Sequence, residues 1–203
     1  KPLAEDALSL PVRTGKARVI GIEPASLVTK SLVREVKTDD AGCFQSALNP
    51  RLTKIAVIER HKRTGKLGIG ILEGYGLTGG AIATTISHDS HNIVVAGDND
   101  PDMLLAVREL ADMGGGIVSV HGGSIRRLPL PIAGLMTSAD PQEVNAVLHD
   151  MLVAARAELG IPEDVEPFMT LSFMALPVIP ELKLTARGLF NVNTFSFVGV
   201  EAD

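Results

Sequence analysis

Six consecutive residues, Ser87 to Asn92, read SHDSHN and combine two histidines, an aspartate, two serines and an asparagine. Imidazole and carboxylate side chains can bind a metal ion, transfer protons or hold a substrate. Apolar sequence flanks this hexapeptide on both sides, with GGAIATTI before it and IVVAG after it. The hexapeptide is therefore predicted to connect two strands.

Three interpretations of the hexapeptide compete. A metal site would use His88, His91 and Asp89, but residues three apart share a face only on a helix. On an extended chain His88, Ser90 and Asn92 would point one way and Asp89 with His91 the other, although a turn could bring the histidines together. In the second interpretation the polar groups close a turn through hydrogen bonds to the backbone. In the third they support an active site by orienting a substrate or a catalytic loop. The residues alone favour the turn.

A second polar segment, ERHKRTG, begins at Glu59. Its Arg63 could hold a carboxylate through two hydrogen bonds, as a guanidinium does when it binds an acidic ligand. A charged strand end before a glycine turn explains the same residue equally well. Both interpretations of Arg63 stay open at the level of the sequence.

The elements that position these segments follow from apolar periodicity and turn residues. A helix is predicted from Asp100, as the capping residue, to Gly114, and a second from Asp140 to Gly160. The prolines of the last forty residues predict a buried but irregular segment. The fold class is predicted to be α+β, with a mainly antiparallel sheet covered by two principal helices. Strands are expected at 18–21, 27–36, 52–59, 67–72, 81–87 and 92–96, with two more between the helices.

Composition restricts the classes of function. The chain has 203 residues, 45% of them hydrophobic, and no Ser/Gly/Pro linker divides it, so residues 1–203 are predicted to form a single domain. The net charge of -5 gives no reason to expect a nucleic-acid partner. No apolar run approaches the ~20 residues that cross a bilayer, so no membrane association is expected. The lone Cys43 excludes an intrachain disulfide and fits a cytoplasmic location.

Several longer stretches together resemble one protein family. They are IGIEPASLVTKSLVREV, KIAVIERHKRTGKLGIGILEGYGLTGGAIATTISHDSHNIVVAGDNDPDM, GGGIVSV, LPLPIAGLMT and PFMTLSFMALPVIPELKLTARGLF. In this order they resemble the C-terminal domain of bacterial adenine deaminase, a branch of the amidohydrolase superfamily. The resemblance implies a parent enzyme of purine salvage that hydrolyses adenine to hypoxanthine and ammonia with a divalent metal, manganese or iron.

The resemblance also implies what this chain does not do alone. The superfamily places its metal ligands on a (β/α)₈ barrel that begins with an HxH motif, and the sequence contains neither. The barrel is expected upstream of Lys1, so the chain alone is expected to be inactive, with no catalytic residue and no metal of its own. Its expected partners are the catalytic barrel and further copies in a homo-oligomer. The alternative is a stand-alone structural or ligand-binding module of the same ancestry. With the resemblance, the active-site-adjacent candidates are His88, Asp89, Ser90, His91, Asn92 and Arg63.

Overall fold

A mixed eight-stranded sheet forms the centre of the fold in the computed structural model, which describes residues 3–202. The strand order is β2-β1-β4-β3-β6-β5-β7-β8, and all neighbours are antiparallel except the parallel pair β1 and β4. The predicted α+β class with a mainly antiparallel sheet is confirmed. The strands are β1 (Lys16–Ile22), β2 (Thr29–Glu35), β3 (Leu52–Ile58), β4 (Leu67–Glu73), β5 (Gly80–Thr84), β6 (Ile93–Gly97), β7 (Gly116–His121) and β8 (Ser124–Pro129).

Hydrophobic residues are buried on both faces of the sheet. Alternate residues of a strand point to opposite faces, so one strand contributes to two clusters. On β3, Ile55 and Val57 belong to one hydrophobic cluster, whereas Ala56 and Ile58 belong to another. Helix α1 (Asp100–Asp112) covers the second cluster. The first cluster is covered by α2 (Pro141–Ala157), by α3 (Pro167–Phe173) and by a second, small sheet. The two principal helices thus lie on opposite faces.

The helix starts show which polar side chains act as caps. Asn99, not Asp100, caps α1: its side-chain oxygen accepts a hydrogen bond from the Asp102 amide at 2.9 Å. The prediction of Asp100 was wrong by one residue, and its carboxylate instead pairs with the buried Lys54 Nζ at 2.6 Å. Asp140 caps α2 as predicted, through the Gln142 amide at 2.7 Å.

The last forty residues are more regular than predicted. Pro167 lies in the first turn of α3, where the missing amide hydrogen costs nothing, so it starts this helix instead of disrupting it. Pro177 and Pro180 fall in the connection that follows. The chain then forms a three-stranded antiparallel sheet from β9 (Leu182–Thr185), β10 (Gly188–Asn191) and β11 (Ser196–Val198). A 3₁₀ turn at Ser46–Leu48 completes the regular elements.

One basic side chain of the small sheet is buried. Lys183 on β9 is fully inaccessible to solvent, and its amine donates a hydrogen bond to the Leu27 carbonyl at 2.9 Å. Burial lowers the pKa of this amine to about 8. Among residues 3–202 no carboxylate pairs with it, so the fold bears the cost of desolvating the charge. No helix within the same residues is long and apolar enough to cross a membrane.

Candidate functional site

The sheet register brings the polar segments to one corner of the molecule. Ile58 at the end of β3 pairs with Ile93 at the start of β6, and Thr84 at the end of β5 pairs with Val94. The ERHKRTG loop that follows β3 and the hexapeptide that follows β5 therefore emerge side by side.

The hexapeptide Ser87–Asn92 is a tight turn. The His91 amide donates to the Ser87 carbonyl at 2.6 Å, and His91 takes a left-handed backbone with φ of 48°. Asp89 and Ser90 are exposed at its tip. The His88 amide donates to the carbonyl of Ser172 at 3.2 Å, which ties the turn to α3. The hexapeptide is thus a turn, but a backbone bond closes it and not the predicted side-chain bonds. Within the turn only the Ser90 hydroxyl accepts from the backbone, from the Asn92 amide at 3.5 Å, and the Ser87 hydroxyl is buried without a partner in the described residues.

The two histidines lie near each other in this turn. Their ring centroids are 6.0 Å apart at 63°, and the His88 ring also packs on Phe173 at 4.7 Å. Burial lowers the pKa of His91, and the nearby His88 and Arg60 lower it further. Its Nδ1 is buried without a hydrogen-bond partner in the described chain.

The described residues do not fit the metal site that was considered for this turn. Across residues 3–202 no three His, Cys, Asp or Glu side chains come close enough together to share a metal ion. The pair of histidines lacks the further protein ligands that a catalytic zinc-type site normally has.

Arg60 joins the hexapeptide to a third segment, the LPIAGLM loop at 130–136. Its Nε donates to the His91 carbonyl at 2.6 Å and its Nη2 donates to the Ala133 carbonyl at 2.6 Å. Gly134 makes this possible, because a Cβ atom there would lie 2.8 Å from Nη2. Sequence reasoning missed Arg60. The sequence did hold one signal for it. Arg60 follows Ile58 by two residues, so on an extended chain its side chain would point to the same face as Ala56 and Ile58.

His61 adds a second contact between the two loops. Its Nε2 lies 2.8 Å from the Ser90 carbonyl and 3.1 Å from the His91 carbonyl, so Nε2 carries the hydrogen. Together, Arg60 and His61 use the carbonyls at the end of the turn and fix its position against the ERHKRTG loop.

Glu59 organises its own loop. Its carboxylate accepts hydrogen bonds from the amides of His61, Lys62 and Thr64 and from the Thr64 hydroxyl. These bonds lower the pKa of Glu59 to about 2. The loop places Arg63 at an exposed tip, with φ of 52°, where it forms an ion pair with no carboxylate of residues 3–202. Within the described chain Arg63 thus behaves as a charged turn residue.

An aromatic cleft of about 600 Å³ opens beside the hexapeptide, between the ERHKRTG loop and the small sheet. Its walls include Phe190, Phe195 and Phe197, which are half of the six phenylalanines in the chain. Asn92, the last residue of the hexapeptide, also lines the cleft and is only 8% exposed. Sequence reasoning did not anticipate the cleft, because its two sides are about a hundred residues apart along the chain.

Most of the chain is similar to one family of known proteins. A family model described as adenine deaminase C-terminal domain matches residues 26–196. An adenine deaminase of Nitratidesulfovibrio vulgaris is 59% identical over 201 residues, and an adenine deaminase 2 of Carboxydothermus hydrogenoformans is 47% identical over 201. A third, from Clostridium acetobutylicum, is 44% identical over 199 residues.

Each of these matches covers 98% of this chain but only 35% of the relative. The chain thus spans about a third of the length of the curated relatives that it matches. The resemblance that the motifs indicated is confirmed over most of the sequence. This chain belongs to the adenine deaminase C-terminal domain family.

Proposed function

We propose that this chain is the accessory C-terminal domain of an adenine deaminase. The observation that carries the proposal is that almost the whole chain matches about a third of proteins that are named adenine deaminases. The complete enzyme would hydrolyse adenine to hypoxanthine and ammonia, in cytoplasmic purine salvage, on a catalytic barrel of the amidohydrolase type. Manganese or iron in that barrel would supply an activated water. The chain by itself would be inactive.

The proposed task of this domain is to hold a rigid polar corner against the catalytic part. Arg60 and His61 fix the hexapeptide through carbonyl groups, which leaves the side chains of Asp89 and Ser90 exposed for contacts outside the chain. His88 and His91, whose rings pack together, would support the catalytic loop or the substrate through hydrogen bonds. We further propose that residues 1–203 form one domain and that the complete enzyme assembles as a homo-oligomer.

Replacing both histidines in the complete enzyme tests this role. We expect His88→Ala with His91→Ala to lower turnover of adenine at least tenfold while the metal content stays unchanged, because the metal ligands belong to the barrel. His149→Ala is the matched control, since His149 is exposed on α2, and its turnover should equal that of the unmodified enzyme.

Two results would contradict the proposal. Unchanged turnover of the double variant would make the hexapeptide a structural turn only. Ammonia release from adenine by the purified 203-residue chain would show that the chain is a hydrolase by itself. The expected result is that the chain has no activity until the separately produced barrel is added.

A further inference from the structure

We propose that the aromatic cleft beside Asn92 binds a purine base such as adenine. The choice of adenine as the ligand rests on the proposed function, whereas the chemistry of the cleft rests on the residues that line it. Its volume of about 600 Å³ falls in the range of small-molecule sites.

Asn92 provides the polar group that the proposal needs. Asn92 is 8% exposed as a residue, and its backbone amide donates a hydrogen bond to the Ser90 hydroxyl at 3.5 Å. Among the described residues 3–202, none accepts a hydrogen bond from the carboxamide or donates one to it. Since Asn92 lines the cleft, its carboxamide is available to a ligand there.

Phe195 and Phe197 provide the surfaces for stacking, since Phe190 is only 9% exposed. Phe190 lies 5.2 Å from both Phe195 and Phe197, with interplanar angles of 83° and 74°. Phe195 is 78% exposed and has a left-handed backbone with φ of 50°, an uncommon conformation for a bulky residue. Stacking on such rings suits every planar base.

The charges around the cleft favour a neutral base over an organic cation. Lys66 and Arg187 both line the cleft, and the Arg187 guanidinium lies 4.7 Å from the centre of the Phe197 ring. The one acidic residue among the lining residues, Glu59, is already saturated by hydrogen bonds from its own loop. No carboxylate of the described cleft wall is therefore free to hold an ammonium group.

The carboxamide can pair with either purine base. Asparagine complements adenine with two hydrogen bonds: its oxygen accepts from the 6-amino group while its NH₂ donates to N7. Hypoxanthine offers an equivalent pair on its N1–H and O6 edge, where the asparagine oxygen accepts from N1–H and the NH₂ donates to O6. We therefore expect adenine and hypoxanthine both to bind.

Calorimetric titration of the 203-residue chain with adenine and with hypoxanthine tests this inference, supported by saturation-transfer NMR. Asn92→Leu and Phe197→Ala should each weaken adenine binding about tenfold or more. Phe197 is exposed on β11, at the edge of the small sheet, so its replacement should leave the fold intact by circular dichroism. Val153→Ala removes an exposed apolar side chain from α2 and should leave adenine binding unchanged.

The inference is overturned if adenine does not bind the chain or if Phe197→Ala has no effect on its binding. Stronger protection of residues 186–197 from hydrogen exchange in the complete enzyme than in the 203-residue chain, without added purine, would also overturn it, since another part of the protein would then cover the cleft. If the complete enzyme deaminates adenine while the chain fails to bind it, the cleft proposal fails and the proposed function stands.

Discussion

Arg60 provides the sharpest test of how the corner is built. Arg60→Ala removes a half-buried bond to the His91 carbonyl and an exposed bond to the Ala133 carbonyl. A hydrogen bond to a charged group contributes about 1.5–3 kcal/mol, and the exposed one less, so we expect a loss of about 2–3 kcal/mol in the free energy of unfolding. For a chain of this length that corresponds to a melting temperature lower by about 4–12 °C.

Arg63→Ala is the matched control, because it also replaces an arginine by alanine, three positions further along the same loop. Arg63 lies at the exposed tip of that loop and forms no ion pair within residues 3–202. Its effect should stay within about 0.5 kcal/mol. Urea unfolding followed by circular dichroism measures both variants under the same conditions. If Arg63→Ala proves as destabilising as Arg60→Ala, or if Arg60→Ala costs less than about 0.5 kcal/mol, the role given to Arg60 is wrong.

Three further predictions concern single positions. Gly134→Ala should cost about 2 kcal/mol in urea unfolding, because φ is 74° and the new Cβ meets the Arg60 guanidinium, and the cost should shrink when Arg60 is also alanine. Glu59 has a pKa of about 2 in the folded chain and an ordinary value of 4.5, so its stabilisation is complete above pH 4.5 and lost as the pH falls toward 2. The amide chemical shifts of its loop should follow this low pKa, with a midpoint near pH 2 and not near 4.5, and the transition should be absent in Glu59→Ala. Lys183→Met should raise the free energy of unfolding at pH 7 by about 1–2 kcal/mol by removing a buried charge. In the unmodified chain the free energy of unfolding should rise from pH 8 to 10.5, because in that range the unfolded state keeps the Lys183 proton and the folded state has lost it. The explanation is wrong if Lys183→Met is less stable than the unmodified chain at pH 7, or if the variant still shows this rise.

Local patterns were sufficient for much of the fold. The apolar run of β3 and the sequence Asp140-Pro141 before an amphipathic stripe depend on neighbouring residues, and the structure has the strand and the capped helix where the sequence predicted them. The error in the last forty residues has the same origin. Proline excludes a central strand, but it also starts helices, and nothing local distinguished the two uses at Pro167.

The order of motifs in the sequence also indicated the family, and the residues of SHDSHN alone favoured a turn, whereas both interpretations of Arg63 in ERHKRTG stayed open. The contacts themselves were decided only by the tertiary structure. Arg60 meets Ala133 across 73 positions of sequence, β1 pairs in parallel with β4, and Asn92 faces a small sheet about a hundred residues away. Such juxtapositions arise from sheet register and from packing on both faces of the sheet, which depend on the whole chain, whereas periodicity and capping depend on a few adjacent residues.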